Sequence, residues 1–277
     1  MNVYIISTIV SFITAIIWLL FIYKLDKYDK EPLKLILKVF LGGVVFSFLA
    51  LYVNSYVSTH YGMIKALMLV GFIEEFVKFL PVFLIAYNSK YFDEPLDGLF
   101  YAGVSALGFA FMENITYNKI ILQHFQNSSW YLLFRGFMPF LHVLLASVWG
   151  YALGLYKRKT IGKKSLLLAF MLSALMHSGY DLFAGLGTLF IMIVMILLVT
   201  MFLIRVKNLN RLSPKNNNYL IECKKCNSKI KENSLFCQSC GEKIYFITSR
   251  YSIFCPSCKN LVKREWKFCQ SCGNGFL

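Results

Sequence analysis

Apolar residues run through this chain in long, nearly uninterrupted blocks. Seven of them approach or exceed the roughly 20 residues that a helix needs to cross about 30 Å of hydrocarbon. They are Val3 to Tyr23, Leu35 to Val57, Met63 to Tyr87, Gly98 to Tyr117, Trp130 to Tyr156, Ser165 to Ala184 and Leu186 to Ile204. Beyond residue 212 the long blocks stop. The pattern predicts an all-α polytopic membrane protein of about seven transmembrane helices over residues 1–212 and a tail of different character over 213–277.

Composition supports that division. The 277 residues are 57% apolar and 16% charged, whereas a soluble domain carries about 25% charge. Disorder and collagen are excluded. The net charge of +15 divides as +8 over residues 1–212 and +7 over 213–277, so basicity does not separate the two parts. Cysteine does, because all eight lie between Cys223 and Cys272.

Lys and Arg favour the cytoplasmic side of a membrane. Lys24, Lys27, Lys30 and Lys34 fill the first connection, Lys90 marks the third, Lys157, Arg158, Lys159, Lys163 and Lys164 fill the fifth, and Arg205, Lys207 and Arg211 follow the last block. The even-numbered connections carry almost none. A multi-pass protein of the cell membrane is expected, N-terminus outside and tail in the cytoplasm. The first block lacks a basic n-region and a small-residue cleavage site, so it reads as a retained helix. Reduced thiols in the tail suit the cytosol.

The tail repeats one pattern: Cys223-x2-Cys226-x10-Cys237-x2-Cys240, then Cys255-x2-Cys258-x10-Cys269-x2-Cys272. Two CxxC knuckles complete the four-sulfur tetrahedron that zinc prefers. Two zinc ribbons are expected, at about 220–243 and 252–275, each with one structural ion. Leu235, Phe236, Phe246, Ile247, Phe254, Trp266 and Phe268 are too few to build a core, so metal must supply much of the folding energy. A closed four-cysteine site leaves no position for a substrate. Lys224, Lys225, Lys229, Lys231, Lys263, Arg264 and Lys267 can attract anionic lipid or a cytoplasmic protein partner. Nucleic acid is not expected, because base-stacking aromatics do not interleave with them.

The apolar blocks also carry ionisable groups: Glu74, Glu75 and Lys78 in the third, Glu113 and Asn114 in the fourth, Arg135 and His142 in the fifth, His177 and Asp181 in the sixth. Each charge at a bilayer centre costs about 3 kcal/mol even on the mildest scale. Left separate and lipid-facing, five of them would cost on the order of 15 kcal/mol, as much as a typical protein's stability. They must converge. Lys78 can lean on Glu74 or Glu75 from the same helix face, and Asp181 is spaced to orient His177. The alternating topology puts His142 near the middle of its span and all four groups in the central to outer layer. One water-filled cavity open to the outside is expected. Asp97 reads as a helix cap, Arg135 as structural, and His60 and His124 as outer-loop residues, with Lys119 solvated beside them.

The ordered set Glu74-Glu75-x2-Lys78, Asp97-Gly98, Gly108-Phe109-Ala110-x2-Glu113-Asn114, Arg135-x3-Pro139-x2-His142 and His177-x3-Asp181 resembles the PrsW family of intramembrane proteases, over roughly residues 60 to 185. That family is distantly similar to the CAAX prenyl proteases. The resemblance implies a membrane endopeptidase; bacterial members cleave the extracytoplasmic region of anti-sigma factors, a membrane protein substrate. It makes Glu74, Glu75, Glu113, His142 and His177 the catalytic candidates, with Lys78, Asn114 and Asp181 in support. One glutamate, Glu74 or Glu75, would deprotonate water held against a histidine, and the other histidine or a protonated Glu113 would stabilise the oxyanion. An active-site metal stays open. Two histidines and a carboxylate suit zinc, but there is no HExxH, and similarity to the CAAX proteases favours a metal-free route. A proton-coupled transporter is the alternative, though no internal repeat supports it. A zinc-ribbon sensor with an inert membrane part is a third reading, which the cost of the buried charges opposes.

Overall fold

The computed structural model describes residues 3–124, 135–183 and 188–213, and in the tail 220–223, 225–231, 237, 239–242, 247–249, 252–255, 257–258, 261–263, 268–269 and 272–275. Among them are seven long helices: α1 (Val3–Leu25), α2 (Leu33–His60), α3 (Met63–Pro81), α4 (Pro95–His124), α5 (Met138–Lys157), α6 (Lys163–Phe183) and α7 (Thr188–Leu212). Pro81 ends the regular ladder of α3, because it has no N–H to donate, and the chain runs on as a π-helical turn over Val82–Ala86. Six helices are long and apolar enough to span a membrane; α3, with Glu74, Glu75 and Lys78, is the exception. The chain is a helical membrane protein.

Burial sorts the helices into a centre and a ring. The spanning stretches of α4 and α5 are 89% buried, those of α1, α2, α6 and α7 between 17% and 28%. Outward-facing Ile193, Ile196, Leu197 and Ile204 on α7, or Leu37, Leu41 and Val45 on α2, are the surface a lipid-embedded helix presents. Small residues bring the backbones together. A Cβ on Gly108 would lie 2.0 Å from the Phe40 carbonyl oxygen and one on Gly43 2.2 Å from that of Ser105, which locks α2 to α4. Gly98 and Gly154 do the same between α4 and α5. Gly71 presses α3 against Ala174 and Ser178 of α6.

Helix α4 opens with Pro95 at its first position, and the Asp97 carboxylate accepts the Glu94 backbone N–H at 2.6 Å. That is the reciprocal half of a capping box, the role expected of Asp97. Several expectations need correcting. Helix α5 is described only from Met138, with Pro139 in its first turn, so His142 sits near its start and not at mid-span. His60 closes α2, stacked on Tyr56 at 4.0 Å between ring centres, and His124 closes α4. The side chains of Lys119, His124, Lys229, Lys231 and Lys263 lie outside the described residues, as do Trp130, Ala184, Leu186, Lys224, Leu235, Phe236, Phe246, Arg264, Trp266 and Lys267.

The chain divides into two compact units, Met1–Leu209 and Asn210–Leu277. In the second, β1 (Leu220–Glu222) pairs antiparallel with β2 (Lys229–Lys231), and β3 (Ile247–Ser249), β4 (Ser252–Phe254) and β5 (Leu261–Lys263) form an antiparallel sheet. The β1–β2 and β4–β5 hairpins each frame a CxxC turn. The residue after the turn has a left-handed backbone at Asn227, Gly241 and Gly273, with φ of 56°, 69° and 72°. Its N–H returns to the carbonyl of the first cysteine at 2.8 to 2.9 Å. Both ribbons therefore need Gly, or Asn, at that position.

Candidate active site

Four helices bring the intramembrane polar groups together: α3 carries Glu74, Glu75 and Lys78, α4 Glu113, α5 His142, and α6 His177 and Asp181. Glu75 and Lys78 are fully buried; His177, His142 and Glu74 are 3%, 5% and 8% exposed. Lys78 and the Phe109 ring fill the centre, with the ammonium 4.5 Å from the ring centroid. The more accessible rim is Glu113, Arg135 and Asp181, whose side chains are 15% to 26% exposed.

Lys78 Nζ donates to Glu75 Oε1 at 2.9 Å and to His142 Nδ1 at 3.0 Å, and stands 3.6 Å from Glu74 Oε2. Both oxygens of Glu75 are engaged. Oε1 also accepts from His177 Nδ1–H at 2.9 Å, and Oε2 accepts from Trp149 Nε1–H at 2.9 Å, with Ser173 Oγ at 3.2 Å. The 3.4 Å between Lys78 Nζ and His177 Nδ1 is what two donors on one oxygen produce. Glu75 thus orients His177 by its Nδ1, while Asp181, expected in that role, stands 3.9 Å from Nε2.

Glu74 is held differently. Its Oε1 accepts from Asn54 Nδ2 at 3.2 Å, while its buried Oε2 has no hydrogen-bond partner among the described residues and lies 3.5 Å from His177 Nε2. Glu113 Oε2 is likewise buried and without an aligned partner, with His142 Nε2 2.6 Å away and Arg135 at 3.9 Å. Arg135 donates to Asn114 Oδ1 at 2.6 Å, Asn114 Nδ2 donates to the Arg135 carbonyl at 3.2 Å, and the guanidinium lies over Tyr117. Asn114 and Arg135 therefore brace the C-terminal half of α4 around Glu113. Three residues of the cluster, Asn54, Trp149 and Ser173, were not anticipated. Asn54 is polar within an apolar block and Ser173 lies four residues before His177, both legible signals; a Trp in a span carries no such mark.

Glu74, His142 and His177 each offer a ligand atom within 4.8 Å of the others, a spacing a metal ion accepts. Protonation runs against it. An ammonium has only donors, so the lone pair of His142 Nδ1 is taken up by Lys78 and the neutral ring keeps its proton on Nε2; neither nitrogen has a lone pair free for an ion. As arranged, the residues supply two ligands and not three. The tail is the reverse case. Sγ pairs of 3.6 and 3.5 Å in the first cluster and 3.4 and 3.5 Å in the second lie near the roughly 3.8 Å edge of a tetrahedron built on about 2.3 Å zinc–sulfur bonds. The two clusters fit two structural zinc ions.

Carboxylates and imidazoles packed together inside a helical bundle, around a fully buried lysine, are the kind of groups a membrane-embedded hydrolase uses. Comparison with known proteins places the chain more closely. Residues 31–206 match the PrsW family intramembrane metalloprotease and residues 223–273 match the double zinc ribbon. The chain belongs to the PrsW family. It is 31% identical to Protease PrsW of Oceanobacillus iheyensis over 213 residues, covering 75% of this chain and 94% of that protein. It is 32% identical to that of Geobacillus kaustophilus over 170 residues, 58% and 72% of the two chains, and 28% identical to that of Bacillus subtilis over 168 residues, 58% and 74%. No solved structure matches. The chain is an intramembrane protease, and a membrane protein is its substrate class.

Proposed function

We propose that the chain hydrolyses a peptide bond of a membrane protein on the extracytoplasmic side, an anti-sigma factor being the substrate type that the family resemblance implies, by a route that needs no metal in the membrane. The observation that carries this is the contrast between the glutamates. Glu75 has no oxygen left for a substrate, whereas Glu74 Oε2 is buried, unpartnered and beside a histidine nitrogen with a free lone pair.

Glu74 is then the base. A water between Glu74 Oε2 and His177 Nε2 donates one proton to each and turns its own lone pair toward the scissile carbonyl. As the C–O bond forms, the water proton passes to Glu74; the carbonyl oxygen takes up negative charge and receives the His142 Nε2–H. When the C–N bond breaks, Glu74 returns the proton to the leaving amine. Glu113, beside His142 Nε2 in the resting site, holds that donor until a carbonyl enters. The N-terminus outside and the ribbons in the cytoplasm complete the reading, with residues 1–212 as the protease domain and 213–277 as the ribbon region. The ribbons serve as a docking module for a cytoplasmic protein.

The test is cleavage of a single-span substrate in proteoliposomes. Glu74→Gln is expected to lose about 10²–10⁴-fold in rate, the usual worth of a general base, and His142→Ala a comparable amount. Full-rate cleavage by both variants would refute the reading.

A further inference from the structure

We infer that Lys78 is a positioning residue that holds His142 as a proton donor and thereby keeps a divalent metal ion out of the membrane site. The inference rests on the peptidase reading above and assigns Lys78 more than charge neutralisation.

The ammonium is fully buried, yet it is not simply paired with the nearest carboxylate. Its contacts divide between Glu75 Oε1 at 2.9 Å and His142 Nδ1 at 3.0 Å on another helix. A counter-ion alone needs only the first. The second has a chemical consequence, because a neutral imidazole carries one proton and the nitrogen facing a pure donor must be the one without it. His142 is therefore protonated at Nε2, on the side of Glu113. The two histidines are set in opposite tautomers by one patch: His177 gives its Nδ1–H to Glu75 and shows a lone pair outward, and His142 takes a hydrogen at Nδ1 and shows an N–H outward. One nitrogen accepts a hydrogen bond from the water while the other donates one to the oxyanion.

The same arrangement works against a metal. Glu74, His142 and His177 are close enough to chelate, but with Lys78 in place one ligand is capped by a proton and a positive charge already stands 3.6 Å from Glu74 Oε2. Replacing Lys78 by a neutral side chain of similar length removes both obstacles. The buried Glu74 and Glu75 charges are left without their cation, His142 Nε2 can give up its proton to Nδ1, and a divalent ion becomes the species that restores balance.

The experiment is the zinc content of the purified full-length protein. Wild type is expected to hold two zinc ions per chain, those of the ribbons, and Lys78→Met three; Lys78→Arg, which keeps a donor and a charge, returns to two. Folded Lys78→Met with only two ions would overturn this inference and leave the peptidase reading standing. Three ions in the wild type would overturn both this inference and the metal-free route. Where Lys78→Met does not fold, nitrogen NMR of histidine-labelled wild type decides. The chain has four histidines, and a His142→Gln variant assigns the signal. The Nε2–H tautomer is expected at His142, and the Nδ1–H tautomer would refute the proposal. Loss of cleavage in Glu74→Gln, measured alongside, tests the peptidase reading separately.

Discussion

Substituting Gly71 by alanine tests whether the spacing of α3 and α6 sets the chemistry. A Cβ at Gly71 would lie 2.4 Å from Ser178 Oγ, 2.6 Å from Ser178 N and 2.8 Å from the Ala174 carbonyl oxygen. The hydroxyl can turn away, but the two backbone atoms cannot. Restoring an ordinary contact of roughly 3.4 Å requires α6 to withdraw from α3 by about 0.6–0.8 Å. That displacement carries His177 away from Glu75 and Glu74, now 2.9 and 3.5 Å distant. Overpacking of this kind costs about 1–3 kcal/mol in stability, and a misplacement near 1 Å can cost about 100-fold in rate. Gly71→Ala is therefore expected to lower the melting temperature in detergent moderately and the cleavage rate by one to two orders of magnitude. Gly179→Ala on the same α6 is the control. Nothing lies within 4 Å of its added Cβ, so it should keep full activity and gain up to about 1 kcal/mol from helix propensity. Equal cleavage rates for the two variants would show that the α3–α6 contact does not position the site.

Three further outcomes are expected. Trp149→Phe removes the donor to Glu75 Oε2, and leaving that buried oxygen short of a partner should cost about 1–3 kcal/mol, seen as a lower melting temperature. Glu31, in the α1–α2 connection, is buried, accepts a hydrogen bond from Tyr101, and has its carboxyl pushed up to about 7 chiefly by burial. The native state then holds a proton that the unfolded chain releases near 4.5, so stability is greatest below that value and falls as pH rises through about 7. The melting temperature should drop between pH 5 and pH 8 in wild type and change less in Glu31→Gln. Cys269→Ser breaks one four-sulfur shell, so the zinc content should fall by one ion per chain and its ribbon should become protease-sensitive, read by metal analysis and limited digestion. Unchanged zinc content would mean the sulfurs do not close around an ion.

Much of this was legible in the amino-acid order. Helix count followed from block length, because each lipid-facing span must be about 20 residues of apolar side chain. The polar cluster followed from cost: charges too expensive to face lipid must face one another, and Glu74, Glu75, Glu113, His142 and His177 do so. The cysteine spacing carried the ribbons. What stayed hidden was geometry within the cluster. Spacing showed that Lys78 could reach either glutamate on its own helix, but its bond to His142 spans 64 residues and depends on how α3 meets α5. Asp181 lies one turn from His177 and looked like its natural partner. Glu75 took that place because Gly71 lets α3 and α6 approach so closely. The described start of α5 at Met138 coincides with the helix signal at Pro139, which an apolar run beginning at Trp130 does not mark.

Helix α3 is the one span too charged to be apolar by composition, and its partners are far downstream: His177, which with Lys78 shares the Glu75 oxygen, is made 99 residues after Lys78. When α3 leaves the ribosome its two carboxylates and its ammonium have one another and, from α2, the Asn54 amide beside Glu74. Biogenesis therefore has an order built into it. Until α5 and α6 are made, burying this segment in hydrocarbon carries the cost of charges without their later partners. Assembly of the polar cluster and stable burial of α3 are thus coupled.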